Sequence, residues 1–289
     1  MKFDNVLTRM LGVKYPIIQG AFGWPGTGTS QIAAPVSEAG GLGILTTICY
    51  KNPEAFAEDV KRAKSMTDKP FAVNFTLMKD TKFDNVYHEE YVRITMAEGI
   101  RTVFTSAYDG SIIGRRFKER GCNWIHKCAT IEHAVSIAKK GPDAVVIVGL
   151  EGTGYKNPNQ NTTLINMTMG RRLINVPLIA AGGIGDARGF VAALAMGAVG
   201  IYMGTAFMAT EEFNVPDKLK DKIVGQDILD AEFRRKIYQM DHGGQHSLAA
   251  GVVTSVKPVK QYIDEMVQEA SEIMSEFMQW GMLEDLTAS

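Results

Sequence analysis

Two glycine-containing segments in the second half of the chain have the residue types that can hold a phosphate group. Gly182-Gly183 ends one apolar run, and Gly204-Thr205 ends the next. Glycine leaves backbone N–H groups open to a ligand, and a helix that begins beside such a turn adds partial positive charge. The alanine-rich segment 186–197 between the two runs has helical apolar spacing, which is typical of a βαβ unit. We predict that Gly182, Gly183 and Gly204 contact a phosphate; the alternative is that they only form tight turns.

Two polar side chains lie within otherwise apolar runs. Asn74 stands between a valine and a phenylalanine, and Lys127 follows His126 near the end of its run. Burial of an amide or an ammonium group without a polar partner is costly, so both should meet a ligand. A phosphate site, an amide and a cation together suit FMN, because a cation beside the ring stabilises the negative charge that develops there on reduction. Lys127 is predicted to supply that cation; the alternative is an ion pair with a neighbouring carboxylate.

Eight apolar runs divide the chain into repeating units, and most are separated by segments with helical spacing. The runs are nearly continuous in Val, Ile, Leu, Ala and Phe, which is typical of parallel strands that are covered on both faces. Eight such strands alternating with helices predict an α/β fold, the (β/α)₈ TIM barrel, whose reactive groups lie at the carboxyl ends of the strands. The predicted strands are 16–20, 42–46, 71–75, 102–106, 123–128, 144–149, 177–182 and 200–205.

The length of 289 residues fits one such barrel, so residues 1–289 are predicted to form a single domain. After the eighth predicted strand the chain becomes charged and then amphipathic. Residues 215–289 are therefore predicted to be a C-terminal helical extension with additional helices packed on the barrel. This extension could also contribute to a contact in a homo-oligomer.

The overall composition excludes several classes of partner. The 31 basic and 32 acidic residues give a net charge of -1, so no nucleic-acid partner is expected. The three cysteines are too few for a disulfide framework, and no apolar run approaches the roughly 20 residues that span a bilayer. We expect a cytoplasmic protein with no membrane partner that acts on a small-molecule substrate.

Seven segments of the chain resemble the nitronate monooxygenase family, formerly called 2-nitropropane dioxygenases. The resemblance runs through about residues 5–210 and more loosely through 244–270. The matching segments are Pro16-Ile-Ile-Gln-Gly-Ala21, Ala39-Gly-Gly-Leu-Gly-Ile44, Val73-Asn-Phe75, His126-Lys127, Ala181-Gly-Gly-Ile184, Ala192-Ala-Leu-Ala-Met-Gly-Ala198 and Met203-Gly-Thr-Ala-Phe207.

The resemblance implies an FMN-containing TIM barrel, which is shared with the flavin-type enoyl-acyl carrier protein reductases. It also implies the residues that contact the flavin. On matching positions these are Gln19, Gly20, Ala21, Asn74, Lys127, Gly182, Gly183, Gly204 and Thr205.

One segment departs from the family pattern. Family members that oxidise nitronates have the pattern Gln-Gly-x-Glu-Ala-Gly-Gly-His after the sixth strand, and its histidine is the catalytic base. The aligned segment here is Val148-Gly-Leu-Glu-Gly-Thr-Gly-Tyr155, so Tyr155 replaces the histidine. A phenol with a pKa of about 10 is a poor base near neutral pH but can donate a proton. We therefore predict that Tyr155 is a catalytic proton donor.

These residues together predict an FMN-dependent oxidoreductase that reduces an activated alkene or a quinone with NADH or NADPH as a transient electron donor. Within the same class, the alternative is oxidation of alkyl nitronates with O2. From another class, the alternative is a flavin-free, phosphate-binding isomerase or aldolase in which Lys127 forms a Schiff base. A non-catalytic flavin-binding subunit is a third possibility, because the usual base is absent.

No metal site is predicted among the histidines. His242 and His246 are four residues apart, a spacing that suits metal ligation on a helix, but Gly243 and Gly244 between them disfavour one. His88 and His133 lie in segments whose pattern favours exposed side chains.

Overall fold

The computed structural model describes residues 3–78, 88–154, 156–157, 159–238 and 246–287. Eight parallel strands form one sheet in the order β1-β8-β7-β6-β5-β4-β3-β2. They are β1 Ile17–Gln19, β2 Gly43–Thr46, β3 Phe71–Leu77, β4 Thr102–Ala107, β5 Asn123–Cys128, β6 Ala144–Val148, β7 Leu178–Ala181 and β8 Gly200–Met203. All eight predicted strands are present, although the eighth ends at Met203, and Thr205 begins a short helix instead.

The sheet closes into a barrel between its first two strands. The Gln19 N–H donates to the Leu42 carbonyl over 2.9 Å, and the Leu42 N–H donates to the Ile17 carbonyl over 2.9 Å. The predicted TIM barrel is therefore confirmed. Its seam is the β1–β2 contact, where a single isolated bridge joins Ile18 to Leu42.

Helices surround the barrel and follow most strands along the chain. They are α1 Val6–Leu11, α2 Ser30–Glu38, α3 Pro53–Met66, α4 His88–Ala97, α5 Ser111–Lys118, α6 Ile131–Ala138, α7 Thr163–Leu173, α8 Ala187–Ala195, α9 Thr205–Met208, α10 Asp217–Val224, α11 Ala231–Tyr238 and α12 Val259–Thr287. The chain also forms two short 3-10 helices, Thr47–Cys49 and Leu248–Val252. No helix among the described residues is both long and apolar enough to cross a membrane.

Side chains of alternate strand positions divide into two cores. Those facing inward fill the barrel, and those facing outward pack beneath the surrounding helices. The short helix α1 closes the amino-terminal end of the barrel, where Leu7 and Leu11 join the inner core. Asn5 donates to the Val199 carbonyl over 2.7 Å, and Asn123 at the start of β5 donates to the Met10 carbonyl over 2.9 Å.

The last helix, α12, packs against α8 and α2. Its buried face contains Ile263, Met266 and Ala270. Nearer its start, the Tyr262 hydroxyl donates to the Gly185 carbonyl over 2.5 Å, which ties the helix to the loop after β7. The C-terminal segment thus covers the barrel wall beside the β7–α8 connection.

Candidate active site

A cleft opens at the carboxyl ends of the strands, the end of a barrel at which reactive groups are expected. Seven of the predicted site residues line it, namely Gly20, Ala21, Lys127, Gly182, Gly183, Gly204 and Thr205. Gln19 and Asn74 are not among the lining residues. The fold thus brings together predicted residues at the carboxyl ends of β1, β5, β7 and β8 that are far apart in the chain.

The glycines of the predicted phosphate site differ in what their backbone requires. Gly182 and Gly183 have φ angles of +93° and +75°, in the left-handed region that favours glycine. A Cβ at Gly182 would also lie 2.9 Å from the backbone of Gly149. Tight-turn geometry is therefore sufficient to explain both of these glycines.

Gly204 has no such backbone requirement. Its φ is -102°, and a Cβ built there would meet only the Phe22 ring, at 3.9 Å. Neither backbone conformation nor packing demands glycine at this position, which lies on the wall of the cleft. Close approach of a ligand to the backbone is the remaining physical reason for a glycine here.

The C-terminal segment contributes a residue that the sequence analysis did not identify. Ser247 lines the cleft, and its N–H donates to the Thr205 hydroxyl oxygen over 2.8 Å. The two hydroxyl oxygens are also 2.8 Å apart. Thr205 and Ser247 therefore place two hydroxyl groups beside Gly204, and hydroxyl groups are among the donors that contact phosphate. The looser resemblance over 244–270 was the only sequence signal for this residue.

A row of polar side chains crosses the mouth of the barrel from β3 to β5. The Asn74 amide donates to the Thr76 hydroxyl over 2.9 Å, and Ser106 lies 3.5 Å from Thr76. Ser106 is paired in register with Lys127. Asn74 is buried, and its Oδ1 has no hydrogen-bond partner among the described residues. An N–H group of a ligand would satisfy that oxygen.

Lys127 faces the cleft from the end of β5. It has no ion-pair or hydrogen-bond partner among the residues that the structure describes, so the predicted alternative of a carboxylate pair is not seen. Burial lowers the pKa of its ammonium group to about 8. A partly buried cation without a counter-charge is suited to an anionic ligand.

Gln19 has a different environment from the other predicted contacts. Its Oε1 accepts from the Ile44 N–H over 2.8 Å, and its Nε2 donates to the Gly20 carbonyl over 2.6 Å. The side chain thus joins β1 to β2 at the seam of the barrel. A contact between Gln19 and a cofactor stays a prediction.

Aromatic side chains form one wall of the cleft. Phe22 and Phe213 pack edge to face with ring centroids 4.5 Å apart, and Trp24 lies nearby with 44% of its surface exposed. The Ala21 N–H donates to the Tyr202 hydroxyl over 2.5 Å, so this backbone donor is already satisfied. Such a wall can cover a planar ring and exclude water from it.

The loop after β6 carries the predicted catalytic position. Tyr155 lies outside the described residues, and so its predicted role stays a prediction; Gly152, Thr153 and Gly154 line the cleft immediately before it. The preceding Glu151 is held by Thr163, whose N–H and hydroxyl donate to its carboxylate over 2.9 and 3.1 Å. Glu151 therefore fixes the loop against the start of α7.

Lys156 is a second cation near the cleft that the sequence analysis did not identify. It is buried, and its ammonium group donates to the Leu150 carbonyl over 2.6 Å. Burial lowers the pKa of Lys156 to about 8; Glu151 opposes this shift, and the charge of Lys127 adds to it. Unlike Lys127, this lysine already has a protein acceptor.

The described histidines lie away from the cleft lining. His88 and His133 were predicted to be exposed, but both are partly buried because helices α4 and α6 turn them toward the barrel wall. His246 is bonded to the Gln226 amide oxygen over 2.9 Å and stacks on Phe233. His242, Gly243 and Gly244 lie outside the described residues.

Among curated proteins, the chain is similar to a bacterial CoA-ester dehydrogenase. This relative is the (3aS,4S,5R,7aS)-5-hydroxy-7a-methyl-1-oxo-octahydro-1H-indene-4-carboxyl-CoA dehydrogenase of Rhodococcus jostii, with 32% identity over 82% of this chain. The match spans 64% of that relative's length. A probable nitronate monooxygenase of Staphylococcus saprophyticus is 29% identical over 77% of this chain and 73% of its own.

Solved structures show the same fold. FabK from Thermotoga maritima matches with a TM-score of 0.83 and 29% identity, covering 96% of this chain and 99% of its own. Nitroalkane oxidase from Streptomyces ansochromogenes matches with a TM-score of 0.78 and 20% identity, covering 94% and 100%. At that identity, the second likeness concerns the fold alone.

The motifs, the barrel and the cleft agree with a comparison against protein families. Residues 4–261 match the family model described as nitronate monooxygenase, which is most of the chain. The dehydrogenase and the probable nitronate monooxygenase among these relatives are named for oxidoreductase reactions. The chain belongs to the nitronate monooxygenase family.

Proposed function

We propose that this enzyme binds FMN and uses NADH or NADPH to reduce an activated alkene or a quinone. The observation that carries the proposal is the Lys127 ammonium group, which is directed into the cleft without a protein counter-charge among the described residues. A cation in this position stabilises negative charge on a bound ring, and this stabilisation is strongest where water is excluded.

The cleft fits both parts of FMN. Gly183, Gly204, Thr205 and Ser247 would hold the phosphate through backbone N–H groups and hydroxyls. Asn74 does not line the cleft, but its unpaired Oδ1 lies in the polar row that leads to Lys127, beside which the ring would bind. When bound, FMN would supply two-electron redox chemistry at that ring.

The acid–base groups of the cleft favour reduction. The described residues that line it include no histidine, aspartate or glutamate, so none of these can remove a proton from a substrate. Tyr155 occupies the family's histidine position in the sequence and is proposed to donate a proton to the product. The similarity to a CoA-ester dehydrogenase supports redox chemistry on an organic substrate.

Anaerobic stopped-flow spectroscopy tests the proposal directly. The purified protein is denatured to release and identify its flavin, and the holoenzyme is then mixed separately with NADH, NADPH and an alkyl nitronate. Rapid bleaching by a nicotinamide and slow bleaching by the nitronate are expected. The reverse order of rates, or protein without FMN, would contradict the proposal.

Nitronate oxidation is the second candidate, because one of the similar proteins is named a probable nitronate monooxygenase. Tyr155→Phe tests the reductase, and nitronate turnover by the unmodified protein tests the oxidase. In a reductase this variant should retain flavin reduction by the nicotinamide and lose product formation, since the phenolic proton is absent. In a nitronate oxidase, turnover of a nitronate by the unmodified protein would be on the order of 1 to 10³ per second.

A further inference from the structure

Three metal-ligating side chains converge on the outer face of β5, behind the cleft. His126 and Cys128 project outward from this strand, and His133 lies in the first turn of α6, after a two-residue connection. One nitrogen or sulfur atom from each side chain lies within 4.8 Å of the corresponding atoms of the other two. This is the only such group of three found among the described residues.

The hydrogen bonds of the cluster leave its ligand atoms unused. The His126 Nδ1 is 2.7 Å from the Thr105 hydroxyl oxygen, which also accepts from the Trp124 indole over 2.7 Å. A hydroxyl oxygen has two acceptor lone pairs, so it can accept from both rings. In that arrangement Nε2 of His126 carries the lone pair, and this buried atom has no partner among the described residues.

Cys128 and His133 are similarly without polar partners in the described part of the chain. Cys128 is 1% exposed, and the His133 ring contacts the His126 ring edge to face at 5.0 Å. Burial of the His126 Nε2 without a partner is costly, and the other two side chains place their ligand atoms beside that ring. A bound cation would satisfy all three at once.

We propose that His126, Cys128 and His133 form a binding site for a divalent ion of the zinc class. Imidazole and thiolate ligands favour such ions over Mg²⁺ or Ca²⁺. Zn–N distances of about 2.0–2.1 Å and a Zn–S distance of about 2.3 Å require ligand atoms roughly 3.5 Å apart, so small side-chain rotations complete the site. Thr105 acts as the outer partner that orients the His126 ring.

The fourth position of the site is left for water. Asp109 is close enough for its charge to act on both imidazoles, but its carboxylate accepts from the Ser111 N–H over 2.9 Å and pairs with Lys140 at 2.5 Å. His133 is only partly buried, so an ion would enter from its side of the cluster. An ion therefore has both a route of entry and an open coordination position.

The site would connect the barrel wall to the cleft. His126 and Cys128 lie on either side of Lys127 in β5. Because side chains alternate along a strand, these two face outward and Lys127 faces the cleft. A bound ion would join the end of β5 to the start of α6 and so restrict the backbone that positions Lys127. The proposal is independent of the proposed function, because its primary readouts do not involve the cleft.

Zinc binding to the chelator-treated full-length protein tests the proposal. Equilibrium dialysis against ZnCl2 with elemental analysis should show one Zn²⁺ per chain with a Kd in the micromolar range or below. X-ray absorption at the zinc edge should show one sulfur and two imidazole ligands. Cys128→Ala and His133→Gln should each weaken binding by at least about 100-fold, the upper end of the cost of losing an outer-shell partner.

Cys122→Ala is the matched control, because this cysteine is also in the β5 region but outside the cluster. It should bind zinc like the unmodified protein. His133→Gln changes a partly exposed side chain, so it keeps the test decisive even if Cys128→Ala fails to fold. Absence of micromolar zinc binding, a zinc spectrum without sulfur, or equal binding by the folded His133→Gln variant would each overturn the proposal.

Discussion

Single residues in and near the cleft differ in whether the protein already satisfies their polar groups. The Lys156 ammonium group donates to the Leu150 carbonyl, whereas Lys127 has no partner among the described residues. Asn74 uses its amide nitrogen within the protein and leaves its oxygen unpaired. Unsatisfied groups of this kind are candidates for contact with a ligand, because a bound ligand would supply the missing hydrogen bond or opposite charge.

Replacement of Lys127 by methionine should lower the reduction potential of the proposed flavin. It should also slow flavin reduction by about 10²-fold, the effect of removing one preorganised stabilising group. Lys156→Met is the matched control and should leave both quantities close to those of the unmodified enzyme. The potential is measured by spectroelectrochemical titration, and an unchanged value in Lys127→Met would show that this cation does not act on the ring.

The rate of flavin reduction should also depend on pH through Lys127. Because burial lowers the pKa of Lys127 to about 8, its positive charge is present below that pH and is lost above it. Negative charge on the bound ligand raises the pKa of a neighbouring cation, so the rate should fall at or above pH 8. Lys156→Met should keep this alkaline decrease, and Lys127→Met should lose it.

A pair of glycine variants separates ligand binding from backbone geometry. Gly204→Val should reduce FMN affinity by at least tenfold and leave the unfolding temperature of the flavin-free protein nearly unchanged, because φ is ordinary and the space is open. Gly182→Ala should instead destabilise the flavin-free protein by about 1–3 kcal/mol, since its φ is +93°. Equal flavin affinity in Gly204→Val and the unmodified protein would count against the proposed phosphate position.

At the scale of elements, the seam between β1 and β2 depends on a side chain. One isolated bridge joins Ile18 to Leu42, and the Gln19 amide adds bonds to Ile44 and Gly20. Because strand β1 is only three residues long, these side-chain bonds make up part of its pairing with β2. Gln19, which the family resemblance predicts to contact the flavin, thus also has a structural role.

Gln19→Leu should therefore destabilise the flavin-free protein. The change leaves the buried Ile44 N–H without its acceptor, which costs about 1–3 kcal/mol. Chemical denaturation gives the free energy of unfolding, and Gln268→Leu on the exposed face of α12 should change it by less than about 0.5 kcal/mol. Loss of flavin binding without loss of stability in Gln19→Leu would favour a direct cofactor contact.

At the scale of the whole molecule, the two ends of the barrel have different roles. Helix α1 closes the amino-terminal end with Leu7 and Leu11, and the cleft occupies the opposite end. This division is common in TIM barrels, in which one face stabilises the fold and the other carries the chemistry. The small-molecule substrate and the homo-oligomer stay predictions. Leu164 and Leu173 of α7 are at least half exposed.

Leu7→Ala should affect stability and leave the chemistry intact. Its side chain is fully buried in the barrel core, so the truncation should cost about 2–5 kcal/mol. Flavin reduction by a nicotinamide, measured well below the lowered unfolding temperature, should proceed at the rate of the unmodified enzyme. A large loss of rate in the folded variant would show that the two ends of the barrel are coupled.

The sequence alone determined the barrel and much of its cleft, because the responsible signals are local. Continuous apolar runs that end at glycine predict buried parallel strands, and the alternation of side chains along β5 places Lys127 on the inner face. The strand ends of a barrel converge whatever the connections between them, so Gly182 and Gly204 could be assigned to one site.

Only the tertiary structure decided which side chains are partners across long sequence separations. The bond between Gln19 and Ile44, the approach of Ser247 to Thr205 and the meeting of His126 with His133 depend on packing between separate elements. The exposure of a side chain likewise depends on the element that covers it, which a local pattern does not specify. Residue spacing determines which face of an element a side chain occupies, and three-dimensional packing determines what it meets there.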